Sequence, residues 1–448
     1  MSNYYQQARL TRDHRFDGKF FIAVKTTHIF CRPICPANPP LEKNVEYFQL
    51  AEQAILAGYR PCLRCRPDSA PHSYAWQGID TTVNRAAKLL REQSDINIDK
   101  TAIRLGISTR YLRQLFQQKI GMSPKQYQLF NKILFAKQLL HQSDLSIEEI
   151  AQSCGFSCAR LLQQNLKKFT RFTPSQLRQN KSIKMSKTIK LNLAFRPPYN
   201  WSQVREFLLT RAINNIESVS KNSYSRNFIS HGSAGNFTVS YQNEDNYLAL
   251  EINLEDLSQL KPIVSNITRI FDLHADSQVI QQQLSAAGIK PEYIQDGLRL
   301  AGVWDTFEAG CRAILGQQIS VKAAINLLTV LCEKLGTKQQ SCLYFPCADS
   351  VANSSLDFLN IPQSRKQTLI TFAQYMTQNS NQIIDNWIDI KGIGPWTIAY
   401  AKMRGESLPD IWLDSDLVIK KQLAQHKINP DLAKPWRSYL TLQLWNMA

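Results

Sequence analysis

At 448 residues the chain is too long for one core, and roughly 100–200 residues per domain predicts about two to four units. Hydrophobic residues make up 44% and charged residues 20%, which excludes a disordered or collagen-like chain. Lys and Arg number 53 against 36 Asp and Glu, and the net +17 points to a polyanionic partner, nucleic acid ahead of a membrane surface.

The chain opens on MSNYYQQARLTRDHRF, which lacks the apolar run of a secretion signal, and no stretch of about 18 apolar residues follows. A soluble protein that stays where it is made is therefore expected. Ten cysteines are too few for a disulfide scaffold, so clustered ones read as metal-binding or reactive. Cys31-x3-Cys35 and Cys62-x2-Cys65, 26 residues apart, form two such pairs. Four thiolates at this spacing satisfy a tetrahedral Zn²⁺ and hold together a region with little core of its own. A structural zinc knuckle and a reactive thiolate centre both fit the spacing.

The surrounding runs, FFIAVKTTHIFCRPIC at 20–35 and AGYRPCLRCRP at 57–67, closely resemble the N-terminal domain of the Ada family. The resemblance implies a small zinc-bound α/β domain over residues 1–75, with one Zn²⁺ and no organic cofactor. It makes Cys31, Cys35, Cys62 and Cys65 the metal ligands. It also makes Cys31 the acceptor of a methyl group from a DNA methylphosphotriester, once per molecule. Thr27, Phe30, Arg32 and Arg60 become DNA contacts. Asn38 stands where the family has a basic residue, so an altered phosphate grip is expected. The family's Pro-Cys-His-Arg motif does not occur in the sequence.

A junction is expected near Pro67–Pro71, and helical periodicity then runs from about Thr81 to Arg178, with Val83, Ala86, Ala87 and Leu90 on one face. The region contains a weak duplication. GISTRYLRQLF at 106–116, followed by GMSP at 121–124, recurs as GFSCARLL at 155–162 followed by FTP at 172–174. A helix ending at Gly, polar turn residues and a second helix make a helix-turn-helix unit. The second helix of such a unit enters the major groove. Arg110, Arg113 and Gln114 in the first copy, and Arg160, Gln163 and Gln164 in the second, are expected on the exposed side. The spacing resembles the AraC-type tandem module, which implies an all-α domain over residues 80–178. Leu161-Leu162 replaces the family's aromatic pair, a change that packing tolerates but that bears on base contacts. Cys154 and Cys158 make only half a metal site and read as buried thiols; Cys342 with Cys347 is a similar half-site.

A polar, basic linker is expected at 179–188. The charge divides there: 29 basic against 13 acidic side chains lie in residues 1–188, and 24 against 23 follow. Alternation at Phe237–Tyr241 and Tyr247–Leu254 predicts strands, and helical pattern resumes from about Leu257 to the C-terminus. This reads as a small sheet subdomain over 189–290 and a helical core over 291–448.

Within that core, IKGIGPWT at 390–397 places Gly392 and Gly394 in a tight turn whose amides can approach a phosphate. Asp416 follows 22 residues after Gly394, in IWLDSDLVIK at 411–420. A helix N-cap is the plain role for such an Asp, and Asp414 or Ser415 could fill it as well. The hairpin and following Asp resemble the helix-hairpin-helix DNA glycosylases. FRPPYNW at 195–201, FEAGCRAILGQQISV at 307–321 and KPWRSY at 434–439 extend the resemblance to the AlkA-type 3-methyladenine glycosylases over essentially residues 189–448. It implies Asp416 as the catalytic carboxylate and Trp396, Tyr400 and Trp445 as pocket aromatics. Trp396 stands where lyase relatives carry Lys, so strand cleavage is not expected. Gln318 stands where AlkA has an apolar wedge, so a less efficient flipping step is expected.

The expected protein is an α+β multidomain chain: zinc domain, tandem helix-turn-helix, then an α+β glycosylase with a small antiparallel sheet and a helix-hairpin-helix core. Its implied partners are double-stranded DNA, both alkylated and promoter, and RNA polymerase. The same reading implies a monomer with no membrane contact, cytoplasmic and nucleoid-associated. The rival expectation is a transcriptional regulator with structural zinc, whose glycosylase half only docks DNA.

Overall fold

The computed structural model describes residues 2–13, 16–17, 20–35, 37–49, 51–62, 65, 67, 82–92, 96–178, 188–242, 245–339, 341–378 and 384–447. The junction expected at 67–71 and the linker expected at 179–188 lie almost wholly outside these residues. Two compact units emerge, residues 1–186 with 257–262, and residues 187–256 with 263–448. Among the described residues, no helix is long and apolar enough to cross a membrane.

The first unit begins with a four-stranded sheet in the order Val45–Phe48, Phe21–Val24, Ile29–Cys31, Arg60–Pro61. Strand alternation gives it two apolar faces. Phe21 and Ala23 pack with Phe30, Ala51, Ala54 and Tyr59 on one side. Phe20 and Ile22 pack with Ala8 and Val45 on the other. Helices Ser2–Leu10 and Ala51–Leu56 supply the cover.

Among the described residues, six helices and a final short one follow. Helices Ile98–Arg104 and Thr109–Lys119 form one helix-turn-helix, and Ile147–Ser153 and Ala159–Thr170 form a second. Gly106 and Gly155 both sit at φ +68°, a conformation that only glycine adopts without strain, and they turn the chain between the two helices of each unit. The 19-residue helix Pro124–Gln142 joins the units and starts on a Ser123/Gln126 capping box. Cys154 is fully buried, but Cys158 departs from expectation: it is exposed, because it stands at the N-cap of Ala159–Thr170.

The second unit holds a five-stranded antiparallel sheet in the order Ile189–Ala194, Tyr247–Leu254, Ser233–Tyr241, Ser223–Ser230, Glu217–Val219. Its helical core surrounds Thr306–Gly316, in which every residue from Phe307 to Leu315 is buried. A helix buried all round leaves its charged residues no access to water. Glu308 and Arg312 are therefore paired with Glu217 and Arg226 from the sheet. Arg226 Nη1 lies 2.9 Å from Glu217 Oε1, Arg312 Nη2 lies 2.7 Å from Glu217 Oε2, and Arg312 Nε lies 2.7 Å from Glu308 Oε1. Arg226 also pairs with Glu308, which closes a four-charge ring between sheet and helix.

Candidate functional site

The thiolate centre follows from strand register. Ile29 lies opposite Arg60 and Phe30 opposite Pro61 in a parallel pair, so Cys31 and Cys62 leave the sheet side by side. The Cys62 amide donates to the Phe30 carbonyl at 2.9 Å, and the Cys35 amide donates to the Arg32 carbonyl at 3.1 Å in the turn that brings Cys35 back. The Sγ atoms of Cys31, Cys35, Cys62 and Cys65 all lie within 4.8 Å of one another, with Cys35 and Cys62 3.9 Å apart. Zinc–sulfur bonds of about 2.3 Å give tetrahedron edges of about 3.8 Å, so the four residues fit one Zn²⁺. Thiols this close cannot all ionise unaided. Hydrogen bonds with Cys35, Cys62 and Cys65 push Cys31 up, while those with Cys31, Cys35 and Cys65 pull Cys62 down. A divalent cation removes that conflict.

Cys62 and Cys65 are buried, whereas Cys31 and Cys35 are half-buried. Both border a cleft of about 670 Å³ that is also lined by Thr27, Arg32, Asn38 and Arg60. Thr27 is exposed at its rim. Arg32 is largely committed inside the protein. Its Nε donates to Asp17 Oδ1 at 2.7 Å, its Nη1 to the Cys65 carbonyl at 3.2 Å, and its amide to Cys65 Sγ at 3.3 Å. Asp17 thus braces the centre, a role that no local motif announces. The Arg60 guanidinium lies over the Phe172 ring, 4.4 Å from its centroid. Phe30 corrects the sequence-based expectation: it is 0% exposed and packs edge-on against Phe21, because alternation turns it inward between Ile29 and Cys31. Its side chain offers no surface to DNA.

The two recognition helices carry the remaining candidates of the first unit. Arg110, Arg113 and Gln114 are exposed on Thr109–Lys119, as are Arg160, Gln163 and Gln164 on Ala159–Thr170. Ser108 caps the first helix by accepting from the Tyr111 amide at 3.2 Å. In the Leu161-Leu162 pair, Leu162 enters the core and Leu161 stays 42% exposed.

In the second unit a 3-10 segment, Ile384–Asp389, and helix Pro395–Gly405 flank the glycine turn. Gly392 sits at φ +94°, and a Cβ there would lie 2.1 Å from Thr368 Oγ1. Position and packing both exclude a side chain. Gln317 braces the turn, its Nε2 donating to the Gly392 carbonyl at 3.0 Å and to Thr397 Oγ1 at 3.2 Å. Gly394 caps the helix with no side chain, and a Cβ there would meet nothing within 4 Å. Open space thus faces a helix N-terminus, the geometry that receives a phosphate. Gln318 is exposed at φ +59°, in the turn between helices Thr306–Gly316 and Val321–Leu335.

Asp416 is both the expected carboxylate and the N-cap of Leu417–Gln425, while Asp414 and Ser415 remain exposed outside the helix. Its Oδ1 accepts from the Val418 and Ile419 amides at 3.0 and 3.2 Å and from Trp445 Nε1 at 3.3 Å. Its Oδ2 accepts from Trp396 Nε1 at 3.3 Å. Four donors from two helix faces and a helix end hold the carboxylate plane in one orientation. Trp396 and Tyr400, one helical turn apart, stack with centroids 5.2 Å apart at 20°. The Tyr400 hydroxyl accepts from Arg404 Nη1 at 3.4 Å, and buried Arg404 is anchored on the Ala301 carbonyl at 2.6 Å. Hairpin, aromatic wall and carboxylate therefore converge through one helix, Pro395–Gly405. Gln317 and Arg404 escaped the sequence reading although both lie in quoted or neighbouring runs, since their roles depend on partners 75 and 103 residues away.

Comparison with known proteins matches the same segments. Family models for the metal binding domain of Ada, a helix-turn-helix domain and the AlkA N-terminal domain match residues 4–68, 101–180 and 190–305. A probable bifunctional transcriptional activator/DNA repair enzyme AlkA of Mycobacterium tuberculosis is 28% identical over 97% of this chain and 94% of its own. DNA-3-methyladenine glycosylase 2 of Escherichia coli is 30% identical over 56% of this chain and 95% of its own. The bifunctional transcriptional activator/DNA repair enzyme AdaA of Bacillus subtilis is 31% identical over 39% of this chain and 81% of its own.

Proposed function

The chain belongs to the family of Ada- and AlkA-type transcriptional activator/DNA repair proteins, and from that premise we propose that it couples two repair reactions to gene control. Residues 1–75 take a methyl group from DNA methylphosphotriesters, residues 80–178 bind promoter DNA, and residues 189–448 excise 3-methyladenine and related alkylated bases. The whole operates in the cytoplasm.

The observation that carries the excision reading is Asp416 fixed by four N–H donors beside the Trp396–Tyr400 stack. An alkylated, cationic purine is already a good leaving group. The protein must hold it against an aromatic face, which attracts an electron-poor ring, and stabilise positive charge on the sugar. A carboxylate that cannot rotate away supplies that stabilisation without reorganising and directs water to the sugar carbon. Trp396 serves twice, as half of the aromatic wall and as a donor that aims Asp416. It occupies the place where a Schiff-base lysine would stand, so the chain hydrolyses the glycosidic bond without cutting the strand.

The methyl-acceptor reading is supported by Cys31 being a half-buried ligand at the cleft wall. Bound Zn²⁺ keeps the sulfur ionised at neutral pH. The Cys31 sulfur attacks the methyl carbon, the carbon–oxygen bond breaks toward the phosphate oxygen, and the products are S-methyl Cys31 and an ordinary phosphodiester. Four thiolates with a divalent cation carry −2, and methylation removes one negative charge beside the DNA backbone. Binding tightens, and damage becomes a signal through the recognition helices. The test is release of free 3-methyladenine from methylated duplex by the wild-type chain and by Asp416→Asn. Equal release by both would overturn the catalytic assignment.

A further inference from the structure

The duplicated segments align differently in space than in sequence. Matched from their glycines, Gly106 and Gly155, the two copies pair Arg110 with Ala159. Burial and capping shift that pairing by one residue, because the second turn is one residue longer: Ser108 is the first N-cap and Cys158 the second. On this register the burial of the two helices matches along their inward face. Leu112 and Phe116 are buried in the first, Leu162 and Leu166 in the second; Arg113, Gln114, Gln163 and Gln164 between them are exposed, and Leu115 and Asn165 are half-buried. Both copies then lead into a capping box with Pro at its first helical position, at Ser123 and at Thr173.

The exposed faces now correspond. Arg110 matches Arg160 at the second helical position, and Gln114 matches Gln164 at the sixth. Between them stand two bulky apolar groups, Tyr111 at 48% and Leu161 at 42% exposure. The fifth position changes type, from Arg113 to Gln163, and nearer the helix end Gln117 and Gln118 give way to Lys167 and Lys168. In the major groove Arg pairs bidentately with guanine, Gln with adenine, and apolar groups contact the thymine methyl. The connecting helix of 19 residues spans about 28 Å at 1.5 Å per residue, comparable to the roughly 34 Å between successive turns of the major groove.

We infer that the two recognition helices read one short base pattern twice: a guanine through Arg110 and Arg160 and an adenine through Gln114 and Gln164, in two copies about one duplex turn apart. This rests on the reading of residues 80–178 as a promoter-binding module and names the DNA it binds. The two copies differ at the base facing Arg113 and Gln163.

The test is selection from a random duplex library by the full zinc-loaded chain, before and after exposure to methylphosphotriester DNA. The expected result is enriched sites with two guanine–adenine copies centred about 10–10.5 base pairs apart. Arg110→Ala and Arg160→Ala should each relax the guanine preference in a different copy, about tenfold. Gln163→Arg, a change between exposed polar groups, should make the two copies more alike. Two unrelated patterns, or one copy alone, would overturn the inference while leaving the module a sequence-specific binder. Enrichment of no sequence in either arm would overturn the promoter-binding reading along with it.

Discussion

In the first unit the arginines and lysines of the recognition helices, Arg110, Arg113, Arg160, Lys167 and Lys168 among them, face water. In the second unit Arg226, Arg299, Arg312 and Arg404 lie between 0 and 7% exposed, and each is engaged by a carboxylate, a carbonyl or an aromatic ring. The same residue type thus lies at the surface in one unit and serves as internal bracing in the other. A charge count locates a nucleic-acid partner only where the charges reach the surface. On the proposed function the second unit meets DNA through its glycine turn and a helix N-terminus, neither of which adds to net charge.

The largest expected effect separates the two chemistries. Asp416→Asn should lower base excision by roughly 10²–10³-fold, the scale of losing a preorganised electrostatic group, and leave methyl uptake by Cys31 unchanged. Base release and S-methylation measured on one sample would show whether the units act independently. The bracing role is tested next by Arg226→Ala, which leaves Glu308 and Glu217 short of a partner inside the protein. A loss of about 3–5 kcal/mol is expected in denaturant unfolding of the second unit, against less than about 0.5 kcal/mol for exposed Arg113→Ala.

Gly392→Ala should cost about 1–3 kcal/mol and raise KM for damaged duplex, since it strains the turn and drives a methyl group toward Thr368. Acid should also distinguish the units. Burial alone would push Glu217 up, but Arg312 and Arg226 pull it down to about 2. A depressed carboxylate contributes stability above its unfolded value, near 4.3, and loses it as pH falls toward 2. Melting of the second unit should therefore decline progressively below about pH 4.5, and Glu217→Gln should flatten that decline. The smallest effect is in salt dependence. Lys168→Ala should reduce the log–log salt slope of promoter binding by about one and leave that of lesion binding unchanged.

Much of the fold was legible because its signals are local. Cys31-x3-Cys35 and Cys62-x2-Cys65 announce a cluster at short range, and Tyr247–Leu254 alternates cleanly enough to be read as the strand it is. Strand Ser223–Ser230 was not, since its inward positions include Arg226, whose partners come from elsewhere in the chain. Phe30 follows the exposed turn Lys25–His28, and the register with Phe21–Val24 shows that it points inward. The register of the two recognition helices was likewise hidden, because one added turn residue displaces the repeat. Asp416 was legible through the residues around it, but not the four donors that fix it. Two of those are indole N–H groups 20 residues before it and 29 after it.

The central claim is that one chain performs two separate alkyl-damage reactions. Its most direct test is a single incubation of the zinc-loaded protein with methylated duplex, followed by chromatography of released bases and mass spectrometry of the peptide bearing Cys31. The expected products are free 3-methyladenine in repeated turnover and at most one methyl group per chain, located on Cys31. Release of base with an unmodified Cys31 would contradict it by reducing the cysteine cluster to a structural zinc site, and a methylated Cys31 with no released base would reduce the second unit to a DNA-docking platform.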